Sequence, residues 1–122
     1  MMKRFSKAFV YAAKGWVHAF RTQPNFRLEL IACVCVTAAG FYFGITAVEW
    51  ICCLFCMGMV LGAELLNTGI EALTDLVSPE HHPLAGKAKD AGAAAVLAVA
   101  VCSAVVGCII FIPYFVAWIY GR

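Results

Sequence analysis

Charged side chains are scarce in this chain. They make up 13% of the 122 residues, against about 25% in a typical soluble domain. A protein of only 13.2 kDa has a large surface for its volume, and in water that surface needs polar groups. Hydrophobic residues account for 64% of the chain. The sequence therefore predicts a protein solvated mainly by lipid, and it excludes intrinsic disorder, which requires low hydrophobicity.

Two classes of nucleotide-binding signal are also absent. The chain has no G-x-x-x-x-G-K-[ST] and no G-x-G-x-x-G motif, which excludes a P-loop or Rossmann site at the motif level. Its net charge of +2 is too small for a nucleic-acid module, which presents a clustered basic surface. The seven cysteines all lie in apolar segments, so we interpret them as packing residues rather than a disulfide framework.

Long apolar segments predict three transmembrane helices. Residues 30–48 carry no charge, and that length spans a hydrocarbon core of about 30 Å. A second apolar segment follows, and residues 91–121 form a third without a charge. We expect a single all-α integral-membrane domain over 1–122, with spans at about 29–48, 50–73 and 91–115.

The first 22 residues predict a different kind of helix. On a helix, four of the aromatic residues gather on one side, and basic residues gather on the other. The first set is Phe5, Phe9, Trp16 and Phe20, and the second is Lys3, Lys7, Lys14, His18 and Arg21. A packed soluble helix has a similar pattern, but the sharp division favours an amphipathic surface helix, at about 4–22, on an anionic membrane.

The distribution of basic residues predicts the orientation. Six Lys and Arg precede the first span, and Lys87 and Lys89 lie between the second and third. The short turn at 44–49 has none. The positive-inside rule therefore predicts that the N-terminus and the 74–90 loop are cytoplasmic.

A stripe of polar residues lies within the second span. Its members follow one another at i, i+3, i+4, i+7 and i+11, which on a helix form one face about 16 Å long. They are Glu64, Asn67, Thr68, Glu71 and Asp75. A carboxylate near the bilayer centre costs about 2.5–3.5 kcal/mol, which makes it a functional candidate. Glu71 and Asp75 alternatively reach the interface and ionise in water, but this does not account for the whole stripe.

The loop after this stripe brings further groups to the cytoplasmic surface. It contains Glu80, His81, His82, Lys87, Lys89 and Asp90. Carboxylates hold Mg²⁺, which commonly bridges substrate phosphates, and lysines neutralise those phosphates. The histidine pair fits a solvated turn equally well.

Together these motifs resemble the prokaryotic diacylglycerol kinase family, which comprises small membrane kinases for diacylglycerol and undecaprenol. The resemblance rests on Glu64-x-x-Asn67-Thr68-Gly69-Ile70-Glu71-x-x-x-Asp75, then His82-Pro83-Leu84-Ala85 and Ala88-Lys89-Asp90. It implies ATP-dependent phosphorylation of a lipid alcohol in a bacterial inner membrane. It also implies a homotrimer whose sites form between subunits.

The resemblance implies a role for each matched residue. Glu64 matches the catalytic base that deprotonates the lipid hydroxyl, and Asn67 matches a residue that helps to arrange this site. Glu71 matches a ligand of the Mg²⁺ that accompanies ATP. The positions that match nucleotide contacts are Arg4, Tyr11, Gln23, Glu71, Glu80, His81, His82, Lys89 and Asp90.

One matched position departs from the family pattern. The family has an acidic metal ligand before its Asn-x-Arg stretch, whereas this chain has Gln23 before Asn25-Phe26-Arg27. Glutamine ligates Mg²⁺ through its amide oxygen but brings no charge. Either the second metal site is weaker and includes Gln23, or Glu29 replaces the missing ligand from nearly two turns along. We favour the weaker site, because Gln23 occupies the family position.

Two further questions stay open at the level of sequence. Residues 82–85 and 110–113 are more similar to the undecaprenol kinase branch, whereas residues 86–92 resemble the diacylglycerol kinase branch. A small proton-coupled transporter is the main alternative function, since a single membrane-embedded Glu can act as a proton relay. That alternative accounts for Glu64 but not for the rest of the polar stripe, which continues to a loop rich in Lys and His.

Overall fold

The computed structural model describes residues 1–121, which form four helices and, within that range, no strand. The helices are α1 (Met2–Thr22), α2 (Pro24–Phe43), α3 (Ala47–Val77) and α4 (Pro83–Ile119). The last three are long and apolar enough to cross a membrane. The predicted fold class, an N-terminal helix followed by three candidate spans, is confirmed.

The breaks between helices follow from local backbone chemistry. Gln23 is extended, with φ −110° and ψ 107°, because the ring of Pro24 disfavours a helical residue before it. Helix α2 ends where Gly44 adopts φ 63° and ψ 50°, a left-handed conformation that glycine enters without steric cost. Thr46 and Glu49 then form a reciprocal capping box that starts α3. The result is a tight α2–α3 hairpin.

The helix bounds differ from the predicted spans. The first span was expected to reach residue 48, but Gly44 ends α2 and the capping box begins α3 at Ala47. At the other ends, α3 continues to Val77, and α4 runs from Pro83 to Ile119 with Pro113 inside it. The spans were predicted from hydropathy, which indicates the lipid-facing part of a helix. The ends of a helix depend instead on the capping of its terminal backbone groups.

The α2–α3 turn end of the bundle has its own small core. Ile45, Cys53 and Ile110 are buried there, and the ring of Trp50 occupies the space beside Gly40 where a side chain would lie. The Tyr114 hydroxyl donates a hydrogen bond of 2.7 Å to Glu49 Oε2. These contacts tie α4 to the start of α3.

Helix α1 is attached at its C-terminal end only. Ala19 of α1 and Phe26 of α2 are completely buried. Trp16 of α1 packs edge-on against Phe26, with ring centroids 5.4 Å apart. By contrast, Phe5 and Phe9 are exposed. An exposed aromatic row on a basic helix is typical of a helix that lies on a membrane surface.

An apolar crevice of about 290 Å³ lies between α2, α3 and α4. Three of the seven cysteines, Cys33, Cys53 and Cys56, line it together with Glu29. All seven cysteines are free thiols, and four of them, Cys35, Cys52, Cys102 and Cys108, are exposed.

Candidate active site

The polar stripe of α3 is buried at its centre. Glu64 is 2% exposed, Thr68 6% and Asn67 7%, although they belong to a helix with many exposed apolar side chains. Thr68 Oγ1 donates to the Glu64 carbonyl oxygen at 2.8 Å, so its hydroxyl is satisfied within its own helix. No hydrogen bond to the Glu64 carboxylate occurs among residues 1–121, so no other described side chain engages it.

Glu71 lies one helical turn beyond Asn67 and receives two amide groups. Asn67 Nδ2 donates to Glu71 Oε1 at 3.3 Å, and Gln23 Nε2 donates to Glu71 Oε2 at 3.4 Å. Gln23 comes from the break between α1 and α2, 48 residues away in sequence. The fold therefore brings together three residues that were expected to serve one site.

Glu29 occupies a different position from Gln23. Its side chain lines the apolar crevice, and its Oε2 atom is buried without a hydrogen-bond partner in the described part of the chain. Its acidic neighbour is Glu64 rather than Glu71. The residue that reaches Glu71 is therefore Gln23.

The loop between α3 and α4 forms an open pocket of about 310 Å³ next to this stripe. The charged and imidazole side chains that line it are Asp75, Glu80, His81, His82 and Lys89. Lys89 forms an ion pair with Asp75 across the α3–α4 junction. His82 Nδ1 accepts a hydrogen bond from the Leu84 backbone N–H at 3.1 Å and so caps α4. That cap was not anticipated, although a polar residue before Pro at a helix start is a recognisable signal.

Five expected nucleotide residues do not line the loop pocket. Gln23 and Glu71 contact each other instead, and the other three lie apart from them. Arg4 and Tyr11 are exposed on α1, where Lys14 Nζ lies 5.8 Å from the centre of the Tyr11 ring. Asp90 is exposed on α4. Within a single chain, these side chains are available but are not assembled with the rest.

The donor set around Glu71 suits a cation that arrives with phosphates. Within residues 1–121, no group of three or more His, Cys, Asp or Glu side chains is arranged to hold a metal. Mg²⁺, however, is usually held by one or two carboxylates together with substrate phosphates. One carboxylate, with the amide of Gln23 beside it, fits that sparse requirement.

Comparison with known proteins identifies the family. The model for prokaryotic diacylglycerol kinase matches residues 10–111. The chain belongs to this family. It is 41% identical over 112 residues to an undecaprenol kinase from Bacillus subtilis, covering 92% of this chain and 91% of the relative. It is 31% identical to a diacylglycerol kinase from Escherichia coli K12, with 92% of each chain covered. It is 38% identical to a diacylglycerol kinase from Synechocystis, and the match covers 61% of that relative.

These findings settle the class of activity. The chain is a lipid kinase with three candidate membrane spans, and a lipid kinase of this family uses ATP and a membrane lipid. The transporter alternative is not favoured, because the matching family is a kinase family and the match covers most of the chain.

Proposed function

We propose that this protein transfers the γ-phosphoryl group of ATP to the hydroxyl of undecaprenol at the cytoplasmic face of a bacterial inner membrane. The observation that carries the proposal is the continuous α3 face on which buried Glu64 is followed by Glu71 with its two amide partners. Phosphoryl transfer requires alignment and charge neutralisation more than covalent chemistry from the protein. This face supplies groups for both.

Glu64 is proposed as the general base. Its carboxylate is almost completely buried and is not engaged by another side chain in the described residues. A base contributes when it lies within hydrogen-bond reach of the proton that it removes. A lipid hydroxyl at the edge of the hydrocarbon region would meet Glu64, which takes the proton as the oxygen attacks phosphorus.

The loop pocket is proposed to hold the ATP phosphates. Lys89 supplies positive charge, and phosphate would compete with Asp75 for it. Since His82 Nδ1 accepts the capping bond, the neutral ring carries its proton on Nε2, where it can donate to an acceptor. Glu80, His81 and Asp90 complete the proposed nucleotide contacts. Arg4 and Tyr11 would join them from the surface helix.

Mg²⁺ is proposed to bind with ATP at Glu71, with Gln23 as a weak second ligand and Glu29 as the less favoured alternative. The cation would neutralise the phosphate oxygens during transfer. Asn67 holds the Glu71 carboxylate in place through its amide nitrogen.

The functional unit is proposed to be a homotrimer with the N-terminus in the cytoplasm. A single chain leaves Arg4, Tyr11 and Asp90 outside the loop pocket, which fits a site completed by a second subunit. Mixing the Glu64→Gln and Arg4→Ala variants tests this arrangement, because Glu64 lies on the α3 face whereas Arg4 would come from a second subunit. Partial recovery of activity in the mixture is expected if sites are shared, and none is expected if each chain acts alone.

Undecaprenol is proposed as the acceptor because a relative with that activity is 41% identical over nearly the whole chain. Diacylglycerol is the second candidate, because relatives named diacylglycerol kinase match at 31–38%. The test is phosphoryl transfer from radiolabelled ATP by the purified protein, with both lipids in matched mixed micelles. A larger kcat/KM for undecaprenol supports the proposal, and a larger value for diacylglycerol replaces it with the second candidate.

A further inference from the structure

A buried glycine of α4 lies directly against the proposed active site. Gly92 is buried, and a methyl group built on its α-carbon would overlap Asn67 Oδ1 and approach Asn67 Cγ to 3.3 Å. The other two glycines within α4, Gly86 and Gly107, have open space at the same position. Among the three glycines of α4, Gly92 is therefore the one whose α-carbon lies close against a side chain of α3.

This contact fixes the orientation of the Asn67 carboxamide. Its oxygen faces Gly92 and is buried without a hydrogen-bond partner among the described residues, while its nitrogen donates to Glu71 at 3.3 Å. A buried acceptor without a partner is unfavourable, so the orientation is maintained by what surrounds it. The backbone of α4 on one side and the Glu71 carboxylate on the other leave the amide little room to turn.

The same contact sets the position of α4 along α3. Gly92 follows Lys89 by three residues, so both lie on neighbouring positions of one helix face. Lys89 reaches Asp75 while Gly92 meets Asn67. Two contacts on antiparallel helices fix the register between them. A side chain at position 92 would displace α4 and would move Lys89 relative to Glu71.

We propose that Gly92 is a positioning residue for the kinase reaction: its missing side chain lets α4 close on Asn67 and keeps the Asn67 amide nitrogen on Glu71. The proposal rests on the assignment of Asn67 and Glu71 to the active site. Gly92 acts through Asn67 and does not itself contact substrate. It was not among the residues expected from sequence, because its role depends on a contact between helices.

The test compares Gly92→Ala with Gly107→Ala, which makes the same change in the same helix where space is open. Gly92→Ala is expected to lower kcat about 10- to 100-fold, as for misplacement of an active-site group by about 1 Å. It should also raise the Mg²⁺ concentration for half-maximal rate while leaving the KM for lipid unchanged. Gly107→Ala should change none of these quantities. Equal behaviour of the two variants would overturn the proposal.

A second measurement does not depend on activity. The chain has two asparagines, Asn25 and Asn67, so selective ¹⁵N labelling gives two side-chain amide signals in detergent micelles. Gly92→Ala should shift the Asn67 signal and leave the Asn25 signal in place. An unchanged Asn67 signal would contradict the proposed contact.

A double-mutant cycle separates positioning from general damage. Removing the Asn67 carboxamide removes the atom that a methyl group would overlap, so Gly92→Ala should cost little in an Asn67→Ala background. If Gly92→Ala alone fails to fold, the double variant should recover folding. If Gly92→Ala lowers kcat by the same factor with and without the Asn67 carboxamide, the coupling is refuted. A double variant that also fails to fold would refute it as well. Failure of the Glu71 assignment would instead appear as an unchanged Mg²⁺ dependence in Glu71→Ala.

Discussion

Replacement of Gln23 by glutamate is the most informative perturbation of the proposed metal site. Gln23 Nε2 lies 3.4 Å from Glu71 Oε2, so Gln23→Glu places a second carboxylate beside the first. Two unit charges at this separation repel by about 1 kcal/mol in water and about 5 kcal/mol at an effective dielectric constant of about 20. A divalent cation bound between the two carboxylates attracts both of them and offsets this repulsion.

The expected result is a fall of about tenfold in the Mg²⁺ concentration needed for half-maximal rate. A factor of ten requires about 1.4 kcal/mol, which is well within the Coulomb range for this pair. The assay is a Mg²⁺ titration of turnover at saturating ATP and lipid. In the absence of divalent cation, the same variant should unfold at a lower temperature than the parent, and added Mg²⁺ should remove that difference.

Glu29→Gln is the matched control. Glu29 lines the apolar crevice and neighbours Glu64, so its substitution should leave the Mg²⁺ titration unchanged. If Glu29 has instead replaced the missing ligand, Glu29→Gln will raise the Mg²⁺ requirement strongly, and Gln23→Glu will do little or will inhibit. Unchanged titrations for both variants would refute a second metal site of either kind.

Three other substitutions test separate parts of the structure. Glu64→Gln should lower kcat about 10²- to 10⁴-fold with little change in the KM for ATP, as for loss of a general base. Near-parental turnover at saturating lipid would show that Glu64 is not the base. Asp75→Asn should lower the KM for ATP by up to about fivefold, since it frees Lys89 from a surface ion pair worth about 0–1 kcal/mol. An increased KM for ATP would show instead that Asp75 itself assists ATP binding. Tyr114→Phe removes the hydrogen bond to Glu49 and should lower the free energy of unfolding by about 1–2 kcal/mol, measured by denaturant titration in micelles, with turnover unchanged.

The sequence predicted the parts of the site that lie on one helix. Glu64, Asn67 and Thr68 share a face because of the helical period alone, and they are the buried polar residues of α3. The meeting of Gln23 with Glu71 could not be derived from spacing, since the two lie 48 residues apart; only the family resemblance linked them. The role of Gly92 was not predicted, because a glycine in an apolar helix does not reveal which side chain approaches it.

Helix α3 relates sequence position to membrane depth. Its 31 residues extend about 46 Å at 1.5 Å per residue, whereas the hydrocarbon core is about 30 Å thick. When the capped start at Thr46 lies at one interface, Glu64 stands about 27 Å further along at the same rise, close to the opposite boundary. Glu71 stands about 10 Å beyond Glu64, where headgroups and water replace hydrocarbon. A lipid hydroxyl and the ATP phosphates arrive from opposite sides of this boundary, so the spacing of the two glutamates on one helix places the proposed base and the proposed metal ligand on the sides that need them.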